Sequence, residues 1–502
     1  MTHPERTMEK ARRKWHWMAG GGTILVFAVL LAIRLGIPGK IYDDAQRAAA
    51  GKQAAAPSGE TWLNITQNGH KIGYARRLQS QSGGGFHYGE EIRMRINMMG
   101  IVQPIAVRTE AELKPDGTLS SFQFELRSNL FGFKARGSVD GTKLTILSGA
   151  PGSETQSVLP LAETPYLGGG ILTSAALENL MPGEVKTFPV LDPASLGQRP
   201  ARVTLLAEEP LTVMGKSRMT RKYEVDYTGM KQFAWIDEEG SIVRETGILG
   251  IALERVAKEE ALAGLEGGGG VDLADLAAIP SSVHIEDPEK LTRLKIRIAG
   301  FGEQSLSLDG GRQAWRDGVL TIRREADVAK PGGAGSYVGN LQAFLEPTPF
   351  IQADHPKIGK ALKGIVAAND PEEVKARKIV AWVYKYLEKR PVLSVPNALE
   401  TLEQRMGDCN EHAVLLAALA RAAGIPAQVE AGVVYLRGRF YYHAWNVLFL
   451  KDRGGWMTAD AALGQMPADV THIRFVRGAV DRQLDLLGII GKLNMEILET
   501  AR

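Results

Sequence analysis

Between Thr61 and Glu254, apolar and polar residues alternate in short runs broken by turn residues, the period of half-buried strands. WLNITQNGHKIGYARRL sets Asn68-Gly69 between two such runs, a strong hairpin signal. EEIRMRINMMG, IAVRTEAELKPDG, SSFQFELRS, FKARGSVDGTKLTIL and RKYEVDYTGMKQFAWIDEEGSIVRETG continue the pattern, with Pro115-Asp116-Gly117 and Asp140-Gly141 as further turns. The expectation is an antiparallel β domain over residues 61–260, curved or partly closed, interrupted by one helix at Ser174–Leu180. Its charges alternate with apolar positions, as the wet face of a sheet requires, and no cluster in it looks catalytic. A glycine-rich linker follows at 264–271, beginning GLEGGGG. Residues 285–355 read as a short β-rich connecting segment, with LTRLKIRIAGF and GVLTIRRE as its strands. From Pro356 the period becomes helical. PKIGKALKGIVAA is one helix, and PEEVKARKIVAWVYKYLEKR, with Pro371 in its first turn, is another. Ile379, Trp382, Val383 and Tyr386 recur on one face of the second, a core stripe and not a cofactor box.

The other apolar signal lies at the start. Trp17 to Ile33 runs seventeen positions without a charge, and Arg34 can snorkel to extend the span toward Pro38. A basic cluster precedes it. The segment therefore reads as a transmembrane signal-anchor over 17–38, behind a cytoplasmic tail of residues 1–16 and before a linker of residues 39–60. A cleaved signal peptide competes, since TILVFAVLLAI is also an acceptable apolar region, but small residues suited to cleavage come only near Ala48–Ala50. Both readings put the bulk outside the cytosol. The expected location is single-pass in a membrane, N-terminus inside, with the C-terminal bulk extracytoplasmic and the lipid bilayer as a partner; in a bacterium this is the cytoplasmic (inner) membrane with a periplasmic bulk.

Composition narrows the functions. The hydrophobic fraction of 44% with 23% charged residues is that of a folded chain. Net charge is +3, and Arg6, Lys10, Arg12, Arg13 and Lys14 against Glu5 and Glu9 already supply it, leaving 55 basic and 55 acidic residues elsewhere. That balance leaves no basic field for nucleic acid. One cysteine, Cys409, excludes a disulfide framework and a cysteine-rich metal site.

Cys409 sits in GDCNEHAVLLAALARAAGIP. Asp408 followed by Glu411 is a capping box, and Gly424 with Pro426 ends the helix it opens. The first helical position is then Cys409, where the helix dipole favours a thiolate and lowers its pKa. A buried apolar-like cysteine is the competing fate. A thiol nucleophile needs an imidazole and an orienting group. RFYYHAWNVLFL reads as a strand carrying His443, and WMTADAALGQ as a second strand carrying Asp460 after the turn KDRGG. Helix, strand and strand would thus bring Cys, His and Asp together in triad order. His412, three positions after Cys409, is the competing base, disfavoured because the helix N-terminus opposes an imidazolium. Metal binding by His412, His443 and Asp460 matches no compact ligand motif, and neither a metal nor a cofactor is assigned.

These residues also carry a resemblance. From about Ala398 to Phe475, ALETLEQRMGDCNEHAVLLAALARAAGIPAQVEAGVVY, then YYHAWNVLFL, then GWMTADAALGQMPADVTHIRF resemble the bacterial transglutaminase-like superfamily, whose fold is papain-like. Ala461 stands where many relatives have proline after the triad Asp. The resemblance implies Cys409 as nucleophile, His443 as general base and acid, and Asp460 as the orienting carboxylate, in a transglutaminase-like domain over 356–502. The implied fold class is α+β: a transmembrane helix, an antiparallel β-rich domain and a papain-like C-terminal domain. The implied chemistry is acyl transfer from, or hydrolysis of, peptide or protein amides, with hydrolysis preferred. Gln404 is a candidate oxyanion donor on polarity and proximity, and Trp445, Tyr442 and Tyr441 are candidates to line the cleft. The competing function is a membrane-tethered binding or assembly module with a weak thiol site, in which the β domain engages a protein partner. A lipid or lipoprotein carrier built on the curved β domain is a third reading.

Overall fold

The computed structural model describes residues 59–502 except 130, 150–153, 169–170, 172–176, 178–179, 266–268, 303, 305, 326–339 and 479. These residues divide into two compact units, one built on residues 59–273 and the other on Ala274–Val392 and Pro396–Arg502.

The first unit is a single fifteen-stranded sheet. Strands β1 (Gly59–Gln67) to β8 (Thr155–Pro160) follow one another as an antiparallel meander, and β9 (Tyr166–Leu167) to β15 (Ile251–Val256) form a second meander, in which only β9 and β10 (Val185–Leu191) run parallel. The two join where β1 pairs with β15, from Trp62 opposite Val256 to Gln67 opposite Ile251. Alternation sets the faces. In β5 (Leu119–Ser128), Phe122, Phe124 and Leu126 are buried, whereas Gln123, Glu125 and Arg127 between them face outward. Asn68 and Gly69 both take positive φ in the first hairpin turn, 48° and 82°, which is why an Asn-Gly pair stands there. The wet-face reading of the charges has an exception: Arg77 is buried, with its Nε 2.8 Å from Glu90 and its two terminal nitrogens 3.0 and 3.1 Å from Glu245. The helix expected at Ser174–Leu180 falls largely outside the described residues.

The second unit carries two main sheets. In the first, β16 (Ile279–Pro280), β23 (Arg439–Leu450), β22 (Ala427–Leu436) and β25 (Ile473–Gly478) lie in that order, and β24 (Gly455–Ala459) also pairs with β23. In the second, β18 (Gln313–Arg316), β19 (Val319–Arg323), β17 (Arg293–Ala299) and β26 (Asn494–Ala501) lie side by side. The segment expected to be a connector therefore supplies three strands of a sheet completed by the last strand. A two-residue parallel pair, β20 (Glu388–Lys389) with β21 (Met406–Gly407), completes the strands. Among the described residues four α-helices occur between these strands: α1 (Pro356–Lys363), α2 (Glu372–Tyr386), α3 (Ala398–Gln404) and α4 (Cys409–Ala422). The expected stripe on α2 is buried at Ile379 and Val383, while Trp382 and Tyr386 stack on each other with ring centroids 4.0 Å apart.

Two expectations are corrected. The chain is mostly β and not the α+β protein expected: 50% of it is strand against 19% helix, with the large β-rich unit supplying most of the strands. Among the described residues no helix is long and apolar enough to cross a membrane. The longest, α2, has 15 residues and is studded with charges, where a span needs about 20 apolar ones. The expected span at 17–38, with the tail before it, lies outside the described residues. The lack of such a helix among the described residues stands against the single-pass, signal-anchored inner-membrane placement with its periplasmic orientation, and nothing described supports the bilayer as a partner.

Candidate active site

The capping box expected at α4 is present. Asp408 accepts from the N–H of Asn410 at 3.1 Å, and Glu411 reaches back to the N–H of Asp408 at 2.9 Å. That return path explains Gly407: a Cβ there would lie 2.3 Å from the Cβ of Glu411. The box fixes Cys409 at the first helical position.

The sulfur lies against β23. One edge of that strand is shared, β16 pairing at Arg439 and Phe440 and β24 pairing from Asn446 to Leu450. In the gap between them the N–H of Ala444, the residue after His443, donates to the Cys409 sulfur. Cys409 is 1% exposed. Burial pushes its thiol well above the ordinary value, the carboxylates of Asp408, Glu411 and Asp460 add to this, and the Ala444 N–H alone opposes them. This reverses the lowered thiol expected from the helix N-terminus, because three nearby carboxylates and the loss of solvent outweigh the dipole.

His443 and Asp460 are brought together. His443 Nε2 donates to Asp460 Oδ2 at 2.7 Å, both residues being buried. Asp460 follows β24 directly and exchanges two backbone hydrogen bonds with Gln465, both at 2.8 Å. Its Oδ1 accepts from the N–H groups of Ala462 at 2.7 Å and Leu463 at 3.1 Å. Burial alone would raise its pKa, yet the two histidines it contacts hold it well below the usual carboxylate range.

The second of those histidines is His472, which the sequence reading does not single out. Its Nε2 lies 2.9 Å from the same Asp460 Oδ2, and its Nδ1 faces Asp469, 3.2 Å from the carbonyl and 3.4 Å from Oδ1. Burial would lower the pKa of this ring, but Asp469 and Asp460 raise it to about 9. The signal for it in the sequence is the Asp469–His472 spacing of three, too common to stand out. His443, Asp460 and His472 offer atoms within 4.8 Å of one another, close enough on distance alone for a divalent ion. The hydrogen-bond pattern favours protons there instead, since each ring points an Nε2 at one shared oxygen and His472 has a second carboxylate behind it.

Trp445 and Tyr442 do not line an open cleft; both are 1% exposed. Trp445 stacks on His443 with centroids 6.1 Å apart, meets His472 edge-on at 5.2 Å, and donates Nε1–H to Glu430 at 2.9 Å. Arg477 and Arg474 pair with Glu430 in turn. Against the effect of burial, they hold its carboxyl down at about 2. Tyr442 points to the opposite face of β23 from His443, as strand alternation requires, and its hydroxyl lies 3.4 Å from the Ile489 carbonyl. Gln404, at the end of α3, is exposed and outside this buried constellation. His412 Nδ1 is 2.6 Å from the Asp408 carbonyl, and burial lowers its pKa to about 4, so it is a neutral structural ring. Gly432 lets the two histidines meet. It stands opposite His443 in β22, and a Cβ on it would lie 1.9 Å from the Ile473 carbonyl of β25, the strand that His472 leads into.

Residues 360–461 match the family model of the transglutaminase-like superfamily. The matched stretch takes in Cys409, His443 and Asp460 and stops short of Asp469 and His472. No curated protein sequence matches the chain. Among solved structures, the chain is similar to a candidate cysteine protease from Cytophaga hutchinsonii, 16% identical over 42% of this chain and 86% of that one, with a TM-score of 0.26. It is also similar to a β-barrel-like protein of unknown function from Brucella abortus, 12% identical over 39% and 95%, with a TM-score of 0.31. A candidate protease from Parabacteroides distasonis is 10% identical over 68% and 64%, with a TM-score of 0.19. At these scores none implies a shared fold.

Proposed function

We propose that the second unit is a thiol enzyme acting on peptide or protein amides, with Cys409 as nucleophile, His443 as general base and acid, and Asp460 orienting His443. The observation that carries this reading is the pairing of two contacts on adjacent residues of β23: the Ala444 N–H on the Cys409 sulfur, and His443 Nε2 on Asp460 at 2.7 Å. Because burial holds the thiol protonated, the reaction starts from a neutral sulfur and not from a standing ion pair. As the sulfur attacks the amide carbonyl, its proton passes to His443 Nδ1 and the S–C bond forms. The C–N bond then breaks, and His443 returns the proton to the departing amine. Water next attacks the thioester, giving a carboxylic acid and the original thiol; an amine in place of water gives transfer. Hydrolysis is preferred because water is present at far higher concentration. The Cys409 backbone N–H at the helix start is the donor suited to the developing oxyanion.

A competing reading is a binding or assembly module with a silent thiol, and the 1% exposure of Cys409 favours it. Alkylation of Cys409 by iodoacetamide between pH 5 and 9 separates the two. The enzyme reading expects labelling at neutral pH to fall by about a hundredfold in His443→Ala, the scale of a lost general base. Slow labelling that is indifferent to His443 leaves the module. Mass spectrometry of a peptide mixture incubated with and without a primary amine then separates hydrolysis, which gives new carboxyl groups, from transfer, which gives amine adducts.

A further inference from the structure

The carboxylate of Asp460 is saturated. Ionised, it offers about four acceptor sites. Two are taken at Oδ1 by Ala462 and Leu463, and two at Oδ2 by His443 and His472. His443 therefore shares its orienting oxygen with another ring. That other ring is fixed from behind, because Asp469 is itself pinned by the Thr471 N–H at 2.8 Å, the Thr471 hydroxyl at 2.6 Å and Gln465 Nε2 at 2.9 Å. The centroids of His443 and His472 are 5.6 Å apart.

We infer that His472 is a positioning residue of this site: a cation held between Asp460 and Asp469 that draws part of the Asp460 charge away from His443 and so sets how readily His443 takes a proton. The inference rests on the thiol-enzyme reading for its effect on rate, though not for its effect on the His443 ring. Several charged groups face the cluster. Asp460 and Asp469 flank His472, and Arg312, paired with Glu325, donates to the His472 carbonyl at 3.0 Å. Lys389 and His412 lie within electrostatic reach of Asp460. Glu430, with Arg474 and Arg477, holds the Trp445 indole that packs on both rings. Of these, the His472 ring alone shares the Asp460 oxygen with His443, so its charge is felt most directly there. The raised pKa of His472 agrees with this, leaving the ring protonated at neutral pH.

Removing a neighbouring cation raises the pKa of every group that it faced. In His472→Gln, which keeps a donor for Asp460 but loses the charge, the His443 titration midpoint should rise by about one pH unit, and the acid limb of Cys409 alkylation should move up with it. Asp469→Asn, which removes one of the carboxylates that keep His472 charged, should shift both in the same direction. His472→Leu, which also loses the donor, should lower the plateau alkylation rate about tenfold further than His472→Gln, because His443 then lacks a fixed partner geometry. Imidazole nitrogen NMR on the full-length protein reads this directly: one ring should stay doubly protonated until near pH 9, and its signal should vanish in His472→Gln. A His472 ring that is neutral at pH 7 overturns the inference. So does a His443 midpoint that stays put in both His472→Gln and Asp469→Asn. If alkylation instead proves indifferent to His443→Ala, the enzyme reading fails, while the NMR midpoints still decide the role of His472.

Discussion

His87 in the first unit and His472 in the second are clamped alike and placed in opposite surroundings. His87, on β3 (Gly85–Met98), has Glu110 and Glu112 of β4 (Ile101–Leu113) at 2.8 Å on its two nitrogens, and its side chain is 28% exposed. His472 has Asp460 and Asp469 on its two nitrogens and no exposure. Both pairs of carboxylates raise their ring's pKa. Around His87, however, water can take over from either partner. Around His472 it cannot, so every charge there depends on its neighbours being present in the right state. The same motif of two carboxylates and one imidazole is a surface decoration in one unit and a structural commitment in the other.

The sharpest break of that contrast is steric. Gly432→Ala drives a Cβ to 1.9 Å from the Ile473 carbonyl, backbone that cannot swing aside, and should prevent a native thermal transition in the second unit. Gly89→Ala, opposite Glu110 on β4, meets only a carboxylate oxygen at 3.3 Å and should shift its unit's transition by a few degrees at most. Next in size is charge removal. Glu430→Ala removes the buried carboxylate shared by Arg474, Arg477 and the Trp445 indole and should cost about 3–5 kcal/mol in urea denaturation, whereas Glu110→Ala should cost less than about 1 kcal/mol. Equal losses from the two would erase the distinction drawn between the units.

The pH dependence sharpens it further. The folded-state pKa of His472, about 9, lies above the unfolded value of about 6.5. Its stabilisation is therefore complete below pH 6.5 and is lost as pH rises through 9, on the order of 3 kcal/mol across that window. His472→Gln should flatten the fall in unfolding free energy between pH 6.5 and 9, and His87→Gln should leave it nearly unchanged. Glu430 contributes with the opposite sign. Its folded value of about 2 lies below the unfolded one of about 4.3, so its stabilisation holds above pH 4.3 and is lost as pH falls toward 2. The smallest expected effect is at the surface of the second unit. Glu373 pairs with Arg377 and Arg453, whose side chains are more than two-fifths exposed, and Glu373→Gln should change unfolding free energy by less than about 1 kcal/mol.

What the sequence makes legible is local. Asn68-Gly69 marks its hairpin because Asn and Gly accept positive φ at lower cost than other residues, and Asp408 with Glu411 marks the start of α4 because both halves of the cap lie within four residues. The alternation of β5 and the helical stripe of α2 are legible for the same reason. What depends on distant partners is not. Nothing near LTRLKIRIAGF indicates that β17 pairs with β26 two hundred residues later. Arg77 resembles its exposed neighbours on the sheet, yet Glu245 draws it inward across 168 positions. The site divides along the same line. Cys409, His443 and Asp460 stand in a recognisable order, whereas His472 enters only through the register of β22 with β25 and a glycine that admits the approach. The sign of the thiol shift is also beyond sequence, since a position in a helix says nothing of which carboxylates fold up around it.

The sealing of Cys409 carries a last consequence. Peroxide and foreign disulfides attack sulfur mainly as the accessible thiolate. A sulfur that is buried and kept protonated offers them neither charge nor approach. Since the chain has a single cysteine, there is no second thiol in it to rescue a sulfenic acid by forming a disulfide. Burial in the neutral form thus protects the chain's one thiol, whose oxidation no second cysteine of the chain could reverse.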